Sequence, residues 1–228
     1  NRHSFPTRRS SDLPYPQFRL NSAESGKTFE LAATRYINTD TDAQLGLVPD
    51  TFPASGYKAT DWLTQHGDCW DTMAAFGPYD IVELNFGMND FYGGRTLAQY
   101  KADMLAIIAA CRTANQALGK NPFFIVHSPT WRTLLEGDAL ANHNQCAGAL
   151  KEIAEADSMV RVHNDRRTTE EMGFGEGNAD WQTTWATDGT HWNEAAQRIM
   201  ARLHVAQMFD ALPDSRVQTS SGWFRRRR

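Results

Sequence analysis

The sequence predicts an α/β fold with a mostly parallel sheet covered by helices on both faces, and three observations predict it. Short apolar runs rich in β-branched residues recur along the chain, at Ile81–Phe86, Phe123–Val126 and around Val160 and Val162. The run at Phe123–Val126 is continuous, as strands buried on both sides are, and the other two are interrupted at Glu83, Asn85 and Arg161. Stretches with apolar residues at helical spacing separate them, and that alternation implies parallel strands joined by helical crossovers. Polar residues gather where each run stops: Asn89-Asp90, His127-Ser128-Pro129 and His163-Asn164-Asp165. The carboxyl ends of parallel strands are where such sheets carry their sites.

The 228 residues suffice for one α/β domain with a full core. Hydrophobic content of 41% and charged content of 22% are ordinary for a globular chain. A net charge of -4 gives no reason to expect nucleic acid or an acidic membrane surface as partner. No apolar run approaches the length of a membrane span. Residues 3–13, HSFPTRRSSDL, resemble the in-frame translation of a common short-read sequencing adapter, so residues 1–13 are set aside as a disordered arm foreign to the fold. Residues 14–212 are expected to form the domain. Residues 213–228, ending in four arginines, are expected to form a solvated basic tail.

In order, Lys27–Asn38 carries apolar residues at roughly helical spacing and is closed by turn formers. Leu45–Val48 reads as a short strand between prolines and turn residues. Thr60–Phe76 reads as a helix with Trp62, Leu63, Trp70 and Met73 inward, broken by Gly77-Pro78 before the strand at Ile81. Gly87–Asp90 then reads as a loop, and Thr96–Leu118 as a long helix. After the strand at Phe123 comes a helix over Leu140–Ala156, a strand at Val160, a long glycine-rich loop, and a last helix from Asn193 to Leu212. Asn193 is a good N-cap, with Glu194 favourable in the first turn.

Asp188 and His191 stand three apart, just before that last helix. The carboxylate at that spacing can fix the imidazole tautomer and stabilise its charged form, leaving Nε2 as a general base. Alone, the pair is more commonly what a capped helix beside a surface histidine gives. Asn89 offers a neutral side-chain NH2 near a strand end, suited to an oxyanion, though Asn-Asp pairs also simply form turns. Gly56 lets a backbone N–H approach a ligand closely, or serves a plain turn.

Together these residues resemble the SGNH, or GDSL-type, hydrolase family. Gly87-Met-Asn89-Asp90 is similar to its G-x-N-D block, Asp188-Gly-Thr-His191 to its D-x-x-H block, and Ser55-Gly56 to its glycine block, in the expected order. The resemblance implies a flavodoxin-like three-layer α/β/α sandwich. It also implies His191 as base, Asp188 as its orienter, and Gly56 N–H with Asn89 as oxyanion donors. No metal or cofactor is implied. The implied activity is serine-based hydrolysis of carboxylic esters of small molecules or carbohydrates. Trp131, Trp181, Trp185 and Trp192 fall near strand ends, where aromatic faces suit O-acetylated sugars.

The family's G-D-S block is absent. Leu20-Asn21-Ser22, with Gly26 four residues on, imitates its spacing without the apolar strand that should present a nucleophile. Two readings follow: Ser22 is the nucleophile, or the nucleophile lay upstream and was lost where the adapter-like residues begin. In the second case this chain has little turnover. A non-catalytic ligand-binding module on the same fold is the alternative function. Ser128 also ends a strand, but lacks a G-x-S-x-G elbow and reads as structural. Of the three cysteines, Cys111 reads as buried, while Cys69 and Cys146 sit in two H-x-x-C pairs. Those pairs suggest free thiols with surface histidines, a Cys69–Cys146 bridge, or zinc.

Overall fold

The computed structural model describes residues 34–35, 50–51, 56–65, 70, 73–75, 77–130, 135–173, 185–186 and 191–211, with side chains in the last stretch as far as His204. The central sheet is parallel, in the order β3 (Ile81–Asn85), β4 (Phe123–His127), β5 (Val160–His163). Its register sets Asn85 beside His127 and His127 beside His163, so the polar strand ends line up along one edge. Two shorter strands, β1 (Thr34–Arg35) and β2 (Asp50–Thr51), pair antiparallel in a separate sheet. The strand at Thr34–Arg35 corrects the helix expected over Lys27–Asn38: β-sheet pairing to Thr51 and Asp50 overrides the local apolar spacing. The strand expected at Leu45–Val48 lies outside the described residues.

Residues alternate faces along a strand. Val82, Leu84, Phe124, Val126 and Val160 point to the face covered by α3 (Leu97–Gln116) and α4 (Gly137–Ala156). Tyr100, Met104, Ile107, Ile108 and Cys111 recur at three- and four-residue steps along α3 and supply most of the facing surface, with Cys146, Leu150 and Ile153 from α4. Each such aliphatic side chain, fully buried, contributes about 1.5–3 kcal/mol before entropy is counted. Glu83 and His127 point to the opposite face. There α6 (Glu194–Ala211) lies against them through His204. The result is the three-layer sandwich.

Helix starts follow their caps. Thr96 and Gln99 form a reciprocal capping box at α3, the Gln99 N–H donating to Thr96 Oγ1 at 3.3 Å and the Thr96 N–H to Gln99 Oε1 at 3.0 Å. At α6 the Ala196 N–H donates to Asn193 Oδ1 at 3.0 Å, as its sequence position predicts. α1 spans Ala59–Gln65, and the chain is helical again at Trp70 and Met73–Ala75. Two helices replace expected loops. α2 (Met88–Tyr92) begins immediately after Gly87, and α5 (Asp165–Glu171) opens the stretch after β5. α5 is capped by Asn164, whose Oδ1 accepts the Arg167 N–H at 3.0 Å.

Candidate active site

Asn89 and Asp90 are in the first turn of α2, not in a loop. Gly87 makes this possible: its φ of +114° turns the chain from strand directly into helix, a conformation other residues strongly disfavour. A Cβ at Gly87 would also sit 3.0 Å from Pro129 Cγ. Asp90 is wholly buried. One carboxylate oxygen accepts the Gly87 N–H at 3.0 Å and the other the Ala59 N–H at 2.9 Å. The side chain therefore holds the end of β3 and the start of α1 together, although they are far apart in sequence. Burial pushes the Asp90 pKa up, opposed by the N–H groups of Ala59, Gly87 and Asp90 itself.

That clamp brings Asn89 to the Gly56 segment. Asn89 Nδ2 donates to the Tyr57 carbonyl oxygen at 3.2 Å. An amide NH2 carries two N–H donors, so this bond fixes the group with its second N–H still able to act. Gly56 has φ +80°, and a Cβ there would meet nothing within 4 Å. The glycine is thus required by its backbone angle and not by crowding. His191 is exposed immediately before α6, next to Trp192, which bridges antiparallel to Ala186. Asp188, Ser22, Trp131 and Trp181 lie outside the described residues. Trp185 and Trp192 are half-buried and pack against Ala186.

Tyr92 was not singled out from the sequence. It stands one helical turn after Asn89, 62% exposed, so residues 89 and 92 fall on one face of α2. Helical spacing in Met88–Tyr92 was the available signal, hidden by the turn-forming Asn-Asp pair. Ser128 is buried and structural: its N–H donates to the His163 carbonyl at 2.9 Å and its Oγ to Asn164 Oδ1 at 3.2 Å.

Cys146 corrects both special readings of the cysteines. It is a free thiol, buried in the core beside Tyr100, so no bridge to Cys69 forms. Burial pushes its pKa up to about 12, against a hydrogen bond with Tyr100. His143 is not a metal ligand partner for it. Its Nε2 bonds the Thr130 carbonyl at 2.9 Å, and its Nδ1 faces Arg166 at 2.8 Å. Cys111 is buried, as expected. Cys69 lies outside the described residues.

The family model of the GDSL-like lipase/acylhydrolases matches residues 25–199, which include Gly56, Asn89, Asp188 and His191. The chain belongs to the GDSL-like lipase/acylhydrolase family. It is therefore, by family, a hydrolase of ester bonds. No curated protein matches it by sequence. Among solved structures it is similar to a point variant of Axe2, an acetyl-xylooligosaccharide esterase from Geobacillus stearothermophilus, with TM-score 0.56 and 16% identity over 72% of this chain and 74% of that one. It is also similar to a carbohydrate esterase family 3 protein from Talaromyces cellulolyticus, with TM-score 0.52 and 17% identity over 79% and 81% of the two chains. The aryl esterase of M. smegmatis aligns with TM-score 0.50 and 18% identity over 68% of each. At these identities the likeness is one of fold.

Proposed function

We propose that the domain is built to hydrolyse carboxylic esters, O-acetylated carbohydrate foremost, through a serine–histidine–aspartate relay with an Asn/Gly oxyanion hole. His191 is the base and Asp188 orients it. The second N–H of Asn89 and the N–H of Gly56 donate to the oxyanion, a contribution worth about 3 kcal/mol per donor in such sites. The observation that carries the reading is the Asn89–Tyr57 hydrogen bond, which holds the amide beside the Gly56 segment at the carboxyl end of β3. The carbohydrate preference is supported by exposed Tyr92 on the Asn89 face of α2, and by the acetyl-xylooligosaccharide esterase among the fold neighbours.

The sequence contains no G-D-S block, and Ser22 is its only stand-in at the right spacing. We therefore expect this chain to hydrolyse p-nitrophenyl acetate barely above buffer, with no further loss in Ser22→Ala. Turnover well above buffer that disappears in Ser22→Ala would assign Ser22 as nucleophile and reverse that expectation. The second reading is a ligand-binding module on the same fold, which keeps the pocket without catalysis. Both readings require the pocket, so acetylated xylo-oligosaccharide should perturb the Asn89 side-chain amide in NMR spectra. Asn89→Ala and Tyr92→Ala should each weaken binding several-fold. Binding indifferent to both changes would remove the site from the ends of β3 and α1.

A further inference from the structure

On the sheet face opposite α3 and α4, four side chains from four elements converge. Glu83 comes from β3, His127 from β4, Asp165 from α5 and His204 from α6, about three turns into that helix. Asp165 Oδ2 lies 2.8 Å from His127 Nδ1 and 3.0 Å from His204 Nε2. One carboxylate oxygen thus takes one N–H from each imidazole. That choice of protonated nitrogens turns the lone pairs of His127 Nε2 and His204 Nδ1 toward Glu83, whose Oε1 is 2.7 Å from the first and 3.4 Å from the second.

We propose that Glu83, His127 and His204 bind a divalent transition-metal cation, zinc above all, with Asp165 orienting both imidazoles. Two features separate this from an ordinary polar cluster. First, His127 is wholly buried, and its Nε2 lies 2.7 Å from Glu83 Oε1 without the alignment of a regular hydrogen bond. Ligands of one ion behave this way, because they aim at a common centre and not at each other. Second, histidine ligands characteristically donate their remote N–H to a carboxylate, and here one carboxylate serves both.

The dimensions agree. The three ligand atoms all lie within 4.8 Å of one another. Two ligands about 2.0–2.1 Å from a tetrahedral ion are about 3.3–3.4 Å apart. The Glu83–His204 separation of 3.4 Å matches that value, and the Glu83–His127 separation of 2.7 Å has to open by about 0.6 Å, which a rotation of the half-exposed Glu83 side chain supplies. Imidazole nitrogen with one carboxylate is a donor set suited to zinc, and three protein ligands leave a fourth position for water. Glu83 is 45% exposed and His204 20% exposed at the side chain, which gives the ion a way in. Once bound it would tie β3 and β4 to the last helix, the one that follows the Asp188–His191 segment. This role is independent of ester chemistry.

The test uses the full 228-residue chain, stripped by chelator and titrated with zinc sulfate or cobalt(II) chloride. We expect one tightly held zinc per chain after gel filtration, and a cobalt(II) visible spectrum with the intensity of four-coordination. Glu83→Gln and His204→Gln should each weaken uptake at least tenfold. Asp165→Asn should weaken it about 10- to 100-fold, as other outer carboxylates do. Circular dichroism separates a lost ligand from a lost fold. On the wild-type chain, imidazole nitrogen shifts of His127 and His204 must move on zinc addition, a readout that needs no variant. Absence of bound zinc in the wild type would overturn the proposal and leave a ring of protonated ion pairs. Undiminished uptake in His204→Gln, or unmoved imidazole shifts, would overturn it equally.

Discussion

Asp90 and Asp165 occupy similar places and are stabilised in opposite ways. Each follows a strand of the central sheet by a few residues, and each is fully buried. Asp90 accepts from backbone N–H groups, those of Ala59 and Gly87. Burial outweighs these dipoles and holds its pKa above the usual carboxylate range. Asp165 meets two imidazoles. Burial again works against its charge, but the hydrogen bonds from His127 and His204 hold its pKa below the usual range. The same residue type at two equivalent strand ends therefore does different work. Asp90 shapes the backbone around a candidate oxyanion site with neutral dipoles, whereas Asp165 organises charged side chains that reach the last helix.

The sharpest way to break this comparison is to delete each carboxylate. Asp165→Ala leaves buried His127 and partly buried His204 without their shared acceptor. Removing one member of a buried ionic cluster typically costs about 3–5 kcal/mol, and we expect a urea midpoint shifted accordingly at unchanged slope. A cost under about 1 kcal/mol would show that the cluster is hydrated and not buried. Asp90→Ala strands two buried N–H donors, at about 1–3 kcal/mol each. Asp90→Asn keeps one acceptor oxygen and should fall between. The pH signature has its own sign. Because the folded-state pKa of Asp90 is raised, its stabilising contribution is complete below the unfolded value of 3.8 and declines as pH rises through the folded value. The gap between wild type and Asp90→Ala should therefore narrow with rising pH. A widening gap would mean that the two N–H donors outweigh burial.

Gly87→Ala sharpens the same contrast from the backbone side. It places a side chain at φ +114° and against Pro129, 3.0 Å from Cγ. Strain of this kind costs about 1–3 kcal/mol. We also expect the Asn89 side-chain amide resonances to shift, since Gly87 N–H is one of the two donors that fix α2. An unmoved Asn89 amide would show that the Ala59 bond alone sets the turn.

The two aspartates also differ in how far the sequence betrays them. Asn89-Asp90 stands in a G-x-N-D block because its local partner, Gly87, is three residues away, so the geometry is compressed into a motif. The Ala59 end of that clamp was legible only as a nearby glycine-containing turn. Asp165 has its partners at positions 83, 127 and 204, and no spacing connects them. His127 was noticed as a polar strand end, but Glu83 reads as part of a buried strand and His204 as one more polar position in a helix. The three central strands and the long helices were legible because burial writes a continuous or periodic apolar pattern. α5 was not: Asp165–Glu171 has no apolar stripe and reads as loop. Its signal was electrostatic, an Asn164 cap followed by Arg166–Glu170 and Arg167–Glu171 pairs four residues apart. α2 was hidden by turn-forming residues, because nothing local says that Gly87 turns the chain straight into a helix.

A third aspartate supplies the smallest effect and the control for the other two. Asp157 follows α4, with its Oδ2 2.6 Å from Arg112 Nη2 and its Oδ1 accepting the Met159 N–H at 2.9 Å. It is partly exposed. Slight burial works against its charge, but the Met159 N–H and the Arg112 guanidinium hold its pKa below the usual range. A depressed carboxylate contributes stability that is present above its unfolded value of 3.8 and lost as pH falls through the folded value. Asp157→Asn should therefore cost only about 0.5 kcal/mol at neutral pH, the scale of a solvent-screened pair. That cost should vanish in acid and shrink in high salt, because screening weakens exposed pairs first. The Asp90 gap should instead grow in acid, and its dependence on salt should be slight, because its partners are backbone dipoles shielded from solvent. Equal salt sensitivity at positions 90 and 157 would mean that Asp90 is reached by water and does not clamp the site.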